Sequence, residues 1–169
     1  PQTQEEDKST ESQTISEASS TETEESKLLQ TTSIYSSAPL YLTVALSPPL
    51  KEGILTSKFG IRDNEVHKGI DIAAEEGEAI YSVLAGTVEI AEENSSYGKY
   101  VVITHGNSIK SLYAHCSSLQ VNKGDTVKVG QQIAKVGTTG DSTGPHLHLE
   151  LLIGDFVYNP EPILKKGYI

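Results

Sequence analysis

The sequence predicts an all-β fold, an antiparallel sandwich or barrel of short strands. Runs of β-branched, aromatic and other apolar residues recur after residue 53, and Gly, Asn and Asp punctuate them. No segment shows the apolar period of an amphipathic helix. In Gly144–Glu150, leucines alternate with His146, His148 and Glu150, as on a strand with one buried and one polar face.

The chain divides into three parts. Residues 1–28 are rich in Ser, Thr, Glu and Gln, so they bury too little apolar surface to offset their conformational entropy and are predicted to form a disordered tether. Residues 29–52 are more apolar and end near Pro48-Pro49, which predicts an extended arm on the domain edge. Whether residues 35–50 cover a functional groove stays open. Residues 53–169 form the predicted folded domain.

Charge excludes one class of partner. The net charge is −10, but residues 1–26 hold eight of the 23 acidic residues and one of the 13 basic ones. The remainder is close to neutral and has no basic stripe to replace phosphate counterions, so we exclude a nucleic-acid partner. No apolar run approaches the length of a membrane span. A membrane anchor upstream of the fragment and the oligomeric state stay open.

Within the folded domain, the strands follow one another at even spacing. In each strand, β-branched or aromatic residues alternate with polar ones, and turn residues bound the strand at both ends. Besides the 146–150 strand, they are predicted at 79–84, 86–91, 100–104, 108–115, 126–129, 132–136 and 155–158.

The single cysteine, Cys116, cannot form an intrachain disulfide. It alternates out of phase with His115 on the predicted strand, so the two side chains are expected on opposite faces and a thiol protease is disfavoured. Burial as a small apolar residue is the better interpretation. The same alternation predicts that Tyr113 shares a face with His115.

Residues 122–131 resemble the half-motif of lipoyl and biotinyl carrier domains. Such carriers need an exposed lysine at a hairpin tip within a short motif such as Met-Lys-Met. The chain has no Met, and the lysines of this segment alternate with valines as on a solvated strand face. The carrier hypothesis is therefore disfavoured.

Four of the five histidines fall in three short segments, His67–Asp71, Leu112–His115 and Gly144–Glu150. Two imidazoles on one strand face, after a Gly-Pro turn, favour a metal site, and zinc takes about four ligands. Each segment by itself is weak evidence, because a strand histidine is more often a core or surface residue than a ligand.

Together, the segments H-K-G-I-D-I, L-Y-A-H and G-P-H-L-H-L-E resemble, in this order, the three signatures of the M23 peptidase family. This family comprises lysostaphin/LytM-type zinc endopeptidases of bacterial cell walls. The resemblance runs from about Gly53 to Pro162. It implies the barrel-sandwich hybrid fold known as the duplicated hybrid motif, a bound Zn²⁺, and hydrolysis of peptidoglycan peptide bonds at the cell envelope, outside the cytoplasm.

Residue by residue, the resemblance implies that His67, Asp71 and His148 bind zinc, and that His115 and His146 are catalytic. Such a ligand set leaves one position for water, whose pKa zinc lowers to about 7. Which histidine is the base stays open. Gly69 favours a bend over a helix between the first two ligands.

Two further residues have alternative interpretations. Tyr97 lies about where some members place a tyrosine that supports the transition state, or it is a surface turn residue. Arg62 binds substrate carboxylates or forms a surface salt bridge. The alternative function is a noncatalytic M23-like module that binds cell wall or a partner, as amidase activators and stage II Q sporulation proteins do. Such modules typically lack a ligand or a catalytic histidine, whereas this chain lacks none.

Overall fold

The computed structural model describes residues 45–62, 65–165 and 167–168. Over these ranges the chain forms short strands and one 3₁₀ turn, so the predicted all-β class is confirmed. The elements are β1 (Ile54–Ser57), β2 (Gly60–Arg62), β3 (Glu65–His67), β4 (Ile70–Ala73), β5 (Ala79–Tyr81), β6 (Gly86–Asn94), β7 (Gly98–Thr104), β8 (Ile109–Leu119), β9 (Thr126–Val127), β10 (Gln132–Val136), β11 (His146–Ile153), β12 (Phe156–Tyr158) and the turn Glu161–Ile163.

The main sheet follows the order β1-β4-β11-β8-β7-β6-β9. Strand β10 pairs with β8 and β5, and β12 pairs with β11, while β2 and β3 form a separate hairpin. Every pairing between these strands is antiparallel. This topology places β4 directly beside β11, although more than seventy residues separate them in the sequence.

The alternation of β11 decides which face is buried against the core. Leu147, Leu149 and Leu151 are at most 1 % exposed and belong to the main apolar cluster. His148 and Glu150 face the other way, as the sequence predicts for a strand. Strand β4 follows the same rule, since its two isoleucines enter the core and Asp71 does not.

The strands β1 to β4 were not predicted. Each is only three or four residues long and several of their side chains are exposed, so no continuous apolar run marks them. Their pairing depends on β11 and on one another, which a local pattern does not reveal. The strand predicted at 126–129 ends at Val127, and Val129 is 55 % exposed before a turn at Gly130.

The prediction that Tyr113 shares a face with His115 is wrong. His115 has a φ of 61°, and the pairing register between β7 and β8 shifts next to it. This bulge interrupts the alternation, because one extra residue occupies one strand. Tyr113 and Cys116 consequently both enter the main core, and the predicted burial of Cys116 is confirmed. Burial raises the pKa of the Cys116 thiol to about 12, which disfavours a thiolate nucleophile.

The predicted tether, 1–28, and most of the predicted arm, 29–44, lie outside the described residues, so both stay predictions there. The rest of the arm packs on the domain. Leu46 and Leu50 are buried, and the backbone N–H of Leu46 donates to the carbonyl of Ile163. The Tyr168 hydroxyl bonds both the N–H and the carbonyl of Leu50. Among the described residues, no helix has the length and apolarity to cross a membrane.

Candidate metal centre

A bend between β3 and β4 brings His67 and Asp71 together. His67 ends β3, Asp71 lies in β4, and Gly69 occupies the bend between them, as the sequence predicts. A Cβ at Gly69 would overlap the carbonyl oxygen of Leu149 and lie 3.0 Å from Cε1 of His148. Glycine therefore lets the bend lie directly against β11.

Three side chains converge where β4 pairs with β11, since Asp71 and His148 are cross-strand partners. Nε2 of His67 lies 3.1 Å from Oδ1 of Asp71 and 3.2 Å from Nδ1 of His148. Nδ1 of His148 lies 2.7 Å from the same carboxylate oxygen. The structure thus places His67, Asp71 and His148 in one cluster with metal-ligand chemistry.

The triangle of donor atoms fits a tetrahedral ion. Ligands about 2.0 to 2.1 Å from zinc at tetrahedral angles lie roughly 3.3 Å apart. The observed separations of 2.7 to 3.2 Å need only a small expansion. Two imidazole nitrogens and one carboxylate oxygen form a donor set that zinc uses with one position left for water or substrate.

The second nitrogen of each imidazole has a partner that fixes its tautomer. Nδ1 of His67 donates to the carbonyl of Lys58 at 2.8 Å, which leaves Nε2 with its lone pair toward the cluster. Nε2 of His148 donates to Oε1 of Glu150 at 3.1 Å, so the neutral ring, which is the form that binds a metal, directs its Nδ1 lone pair to the same place. Such partners commonly orient metal-binding histidines.

The electrostatics of the cluster favour a positive charge. Burial raises the pKa of Asp71, but its contacts with the His148 and His67 imidazoles outweigh burial and hold this pKa well below its usual range. Burial lowers the pKa of His148, yet its bonds to Asp71 and Glu150 prevail and raise it to about 9. In the metal-free protein the protonated His148 ring thus bridges two carboxylates, and its Nδ1 proton occupies the place that a cation would take.

His115 and His146 lie beside the cluster, with ring centroids 4.6 Å apart. Nδ1 of His115 donates to the carbonyl of Thr139, and Nδ1 of His146 donates to the carbonyl of Gly144, each at 2.8 Å. Both rings therefore carry an unprotonated Nε2 when neutral, and that of His146 lies 3.8 Å from Oδ1 of Asp71. Burial lowers the pKa of His115, which favours its neutral form.

The backbone holds His115 in a conformation that non-glycine residues rarely adopt. Its φ is 61°, and its N–H donates to the carbonyl of Tyr97 at 2.8 Å. The loop that accepts from its ring packs tightly on the Tyr97 turn, because a Cβ at Gly140 would overlap the backbone nitrogen of Gly98. Backbone strain of this kind often marks functional sites.

Tyr97 and Arg62 both border the site. Tyr97 lies in a turn, as one interpretation holds, but it is half-buried and its hydroxyl donates to Oε1 of Glu150 at 2.7 Å. Arg62 donates to Oγ of Ser57 and has a second guanidinium nitrogen 3.9 Å from Oδ2 of Asp71. The Arg62 side chain is 50 % exposed, so its free surface faces the cleft and solvent.

The cluster opens into a cleft of about 510 Å³. The cleft contains the proposed ligands, both further histidines and several polar rim residues. Its lining comprises Ser57, Arg62, Glu65, His67, Asp71, Ser96, Tyr97, His115, Asp141, Thr143, His146 and His148. None of residues 45–52 contributes to it.

A family comparison agrees with this geometry. The model of peptidase family M23 matches residues 65–160, which is more than half of the chain and includes all five of the predicted metal-binding and catalytic residues. The chain belongs to peptidase family M23. Peptidoglycan DD-endopeptidase ShyB of Vibrio cholerae is 42% identical to this M23 chain over 87 residues, which are 52% of the chain and 20% of ShyB.

Two solved structures are similar to the M23 domain. A zinc containing peptidase from Vibrio cholerae has 34% identity and a TM-score of 0.64, over 69% of this chain and 39% of that one. The SpoIIQ-SpoIIIAH pore forming complex contains a chain with 25% identity and a TM-score of 0.67, over 75% of this chain and 94% of that one. The chain spans 20% to 35% of the length of curated relatives that match it well.

Sequence reasoning gave no role to one buried residue of this M23 site. Glu150 is only 3 % exposed and contacts both His148 and Tyr97. The signal was present, because alternation put Glu150 on the same strand face as His148. The rim residues Glu65 and Asp141 were also missed, since their approach to the cleft depends on how separate loops meet.

Proposed function

We propose that this domain is a zinc-dependent endopeptidase that hydrolyses peptide bonds in bacterial peptidoglycan. One observation carries the proposal. His67, Asp71 and His148 aim three donor atoms at one point, at separations of 2.7 to 3.2 Å, inside a cleft that also holds two further imidazoles. Family membership and the relative named as a peptidoglycan endopeptidase support the substrate class.

The residues divide into ligands and proton-handling groups. His67, Asp71 and His148 would hold the ion, and the bound zinc would supply the Lewis acidity that activates water and polarises a carbonyl. The lowered pKa of His115 keeps its ring neutral near pH 7, so its Nε2 can accept a proton. A positioned base or acid contributes about 10² to 10⁴ in rate.

His146 is the second imidazole of the pair that it forms with His115. Its Nε2 is 3.8 Å from Oδ1 of Asp71, so a substrate oxygen near the ion would also lie near this nitrogen. When protonated, His146 can donate a hydrogen bond to negative charge that develops on that oxygen. The two histidines thus supply the acceptor and the donor that peptide hydrolysis needs. With peptidoglycan as the proposed substrate, we also propose that the reaction occurs at the cell envelope.

Release of soluble muropeptides from purified cell walls tests the proposal. The full chain with one equivalent of zinc should release them, and chelation should stop the release. His148→Ala should lose both bound zinc and hydrolysis, whereas Lys123→Ala, at an exposed turn, should keep both. Mass spectrometry of the products would identify the bond that is cut. Zinc binding without release from any wall type would contradict the proposal.

The alternative is a noncatalytic module that binds a partner or cell wall. It is favoured by the likeness to a chain of the SpoIIQ-SpoIIIAH pore forming complex, at 25% identity. The intact set of three ligands and two further histidines favours catalysis instead. The muropeptide assay separates the two functions, because a binding module sediments with walls and leaves them intact.

A further inference from the structure

Two hydrogen-bond donors converge on one buried carboxylate oxygen behind the metal centre. Oε1 of Glu150 accepts from Nε2 of His148 at 3.1 Å and from the Tyr97 hydroxyl at 2.7 Å. Glu150 is 3 % exposed, so these bonds are little screened by water. The three side chains form a chain of contacts that ends at a proposed zinc ligand.

Packing fixes the direction of the Tyr97 hydroxyl. The Tyr97 ring packs on a small apolar cluster formed by Val102, Leu112 and Ala114, and its centroid lies 5.5 Å from that of Tyr100. The ring also lies 6.1 Å from the ring of His148. These contacts aim the hydroxyl inward at Glu150, although one side of Tyr97 borders the cleft.

We propose that Tyr97 and Glu150 are positioning residues for the metal ligand His148, and that Tyr97 acts through Glu150 and not on the substrate. The proposal rests on the proposed zinc site but not on the proposed hydrolysis. It assigns Glu150 a function and replaces the transition-state interpretation of Tyr97.

The physical consequence follows from imidazole chemistry. Neutral His148 has a single N–H, and its bond to Glu150 keeps that proton on Nε2 and the Nδ1 lone pair toward the ion. The carboxylate also makes the imidazole a stronger donor to metal, and loss of such a partner typically costs about 10- to 100-fold in metal affinity. The hydrogen bond from the Tyr97 hydroxyl in turn holds the carboxylate in place and stabilises its buried negative charge.

Zinc affinity of the metal-free protein, measured by competition with a chromophoric chelator, tests the proposal without any activity assay. Glu150→Gln should weaken zinc binding by about 10- to 100-fold. Tyr97→Phe should weaken it less, by about 3- to 10-fold, because Oε1 of Glu150 loses one of its two hydrogen bonds and keeps the one from His148. Tyr97→Phe in the Glu150→Gln background should add little, since both act through one carboxylate.

A matched control is Tyr100→Phe, which removes a neighbouring hydroxyl from the same aromatic group and should leave zinc affinity unchanged. Circular dichroism and thermal unfolding of the metal-free variants would verify their folding. Unchanged zinc affinity in Tyr97→Phe would overturn the proposal. It would also be overturned if Tyr97→Phe weakened zinc binding equally in the wild-type and the Glu150→Gln backgrounds. If Tyr97→Phe lowered kcat but kept wild-type zinc affinity, Tyr97 would act on the substrate, and the proposal would be wrong. Loss of hydrolysis by every form would affect only the proposed function, since the affinities are measured independently.

Discussion

Nε2 of His67 lies 3.2 Å from Nδ1 of His148, although 81 positions separate the two residues. One imidazole comes from the end of β3 and the other from the centre of the main sheet. A metal ion at this point would tie the β2-β3 hairpin, which is a separate small sheet, to β11. The metal centre should therefore affect stability as well as chemistry.

Zinc should raise the thermal unfolding midpoint of the full chain. A ligand that binds only the folded state at 100 times its Kd stabilises by about 2.7 kcal/mol. We expect a clear increase on zinc addition and its reversal by chelator, measured by differential scanning calorimetry. His148→Ala should show no zinc-dependent shift, whereas Lys123→Ala should shift like the wild type. A zinc response retained in His148→Ala would contradict the assigned ligand set.

Gly69→Ala should destabilise the domain and weaken zinc binding. The new Cβ would overlap the carbonyl oxygen of Leu149 and approach Cε1 of His148 to 3.0 Å, so the bend must move away from β11. Overpacking of this kind costs about 1 to 3 kcal/mol, measurable by urea unfolding. Gly167→Ala, where a Cβ meets no atom within 4 Å, should change stability far less. Equal effects of the two substitutions would contradict this account.

At position 115 a glycine variant should be more stable than an alanine variant, which is the reverse of the usual order. At a φ of 61°, His115→Gly relieves backbone strain that His115→Ala retains, so the glycine variant should be more stable by about 1 kcal/mol. Both variants should lose hydrolysis by about 10² to 10⁴, because neither carries the imidazole. Chemical unfolding checks the first expectation and muropeptide release the second. An alanine variant at least as stable as the glycine variant would show that the backbone relaxes.

His105 should make stability depend on pH. Burial lowers the pKa of this imidazole below its ordinary value of 6.5, despite a bond from Nδ1 to the carbonyl of Ala85. The unfolded chain therefore binds a proton that the folded chain does not, and stability should fall as pH decreases below about 6.5. Urea unfolding of His105→Gln between pH 7 and 5 should show a smaller loss than the wild type. Equal slopes for both proteins would contradict the assignment.

The local pattern of residues was enough to predict several features of the geometry at the candidate site. Alternation along Gly144–Glu150 put His146, His148 and Glu150 on one face and the leucines in the core, and the structure has both. Glycine between His67 and Asp71 predicted the bend. These inferences succeeded because side-chain direction on a strand, and backbone freedom at glycine, are properties of the nearby chain.

Other features depended on contacts between distant segments. The bulge at His115 moved Tyr113 to the opposite face, and this bulge arises where β8 pairs with β7. The short strands β1 to β4 likewise form because β11 and their neighbours supply hydrogen-bond partners.

The sequence by itself determined which side chains with metal-ligand chemistry are present and the strand faces on which they lie. Only the tertiary structure decided that Oε1 of Glu150 would accept hydrogen bonds from both Nε2 of His148 and the Tyr97 hydroxyl. The reason is physical. Strand alternation is set within a few residues, whereas a hydrogen bond between residues 53 positions apart depends on register, bulges and packing throughout the sheet.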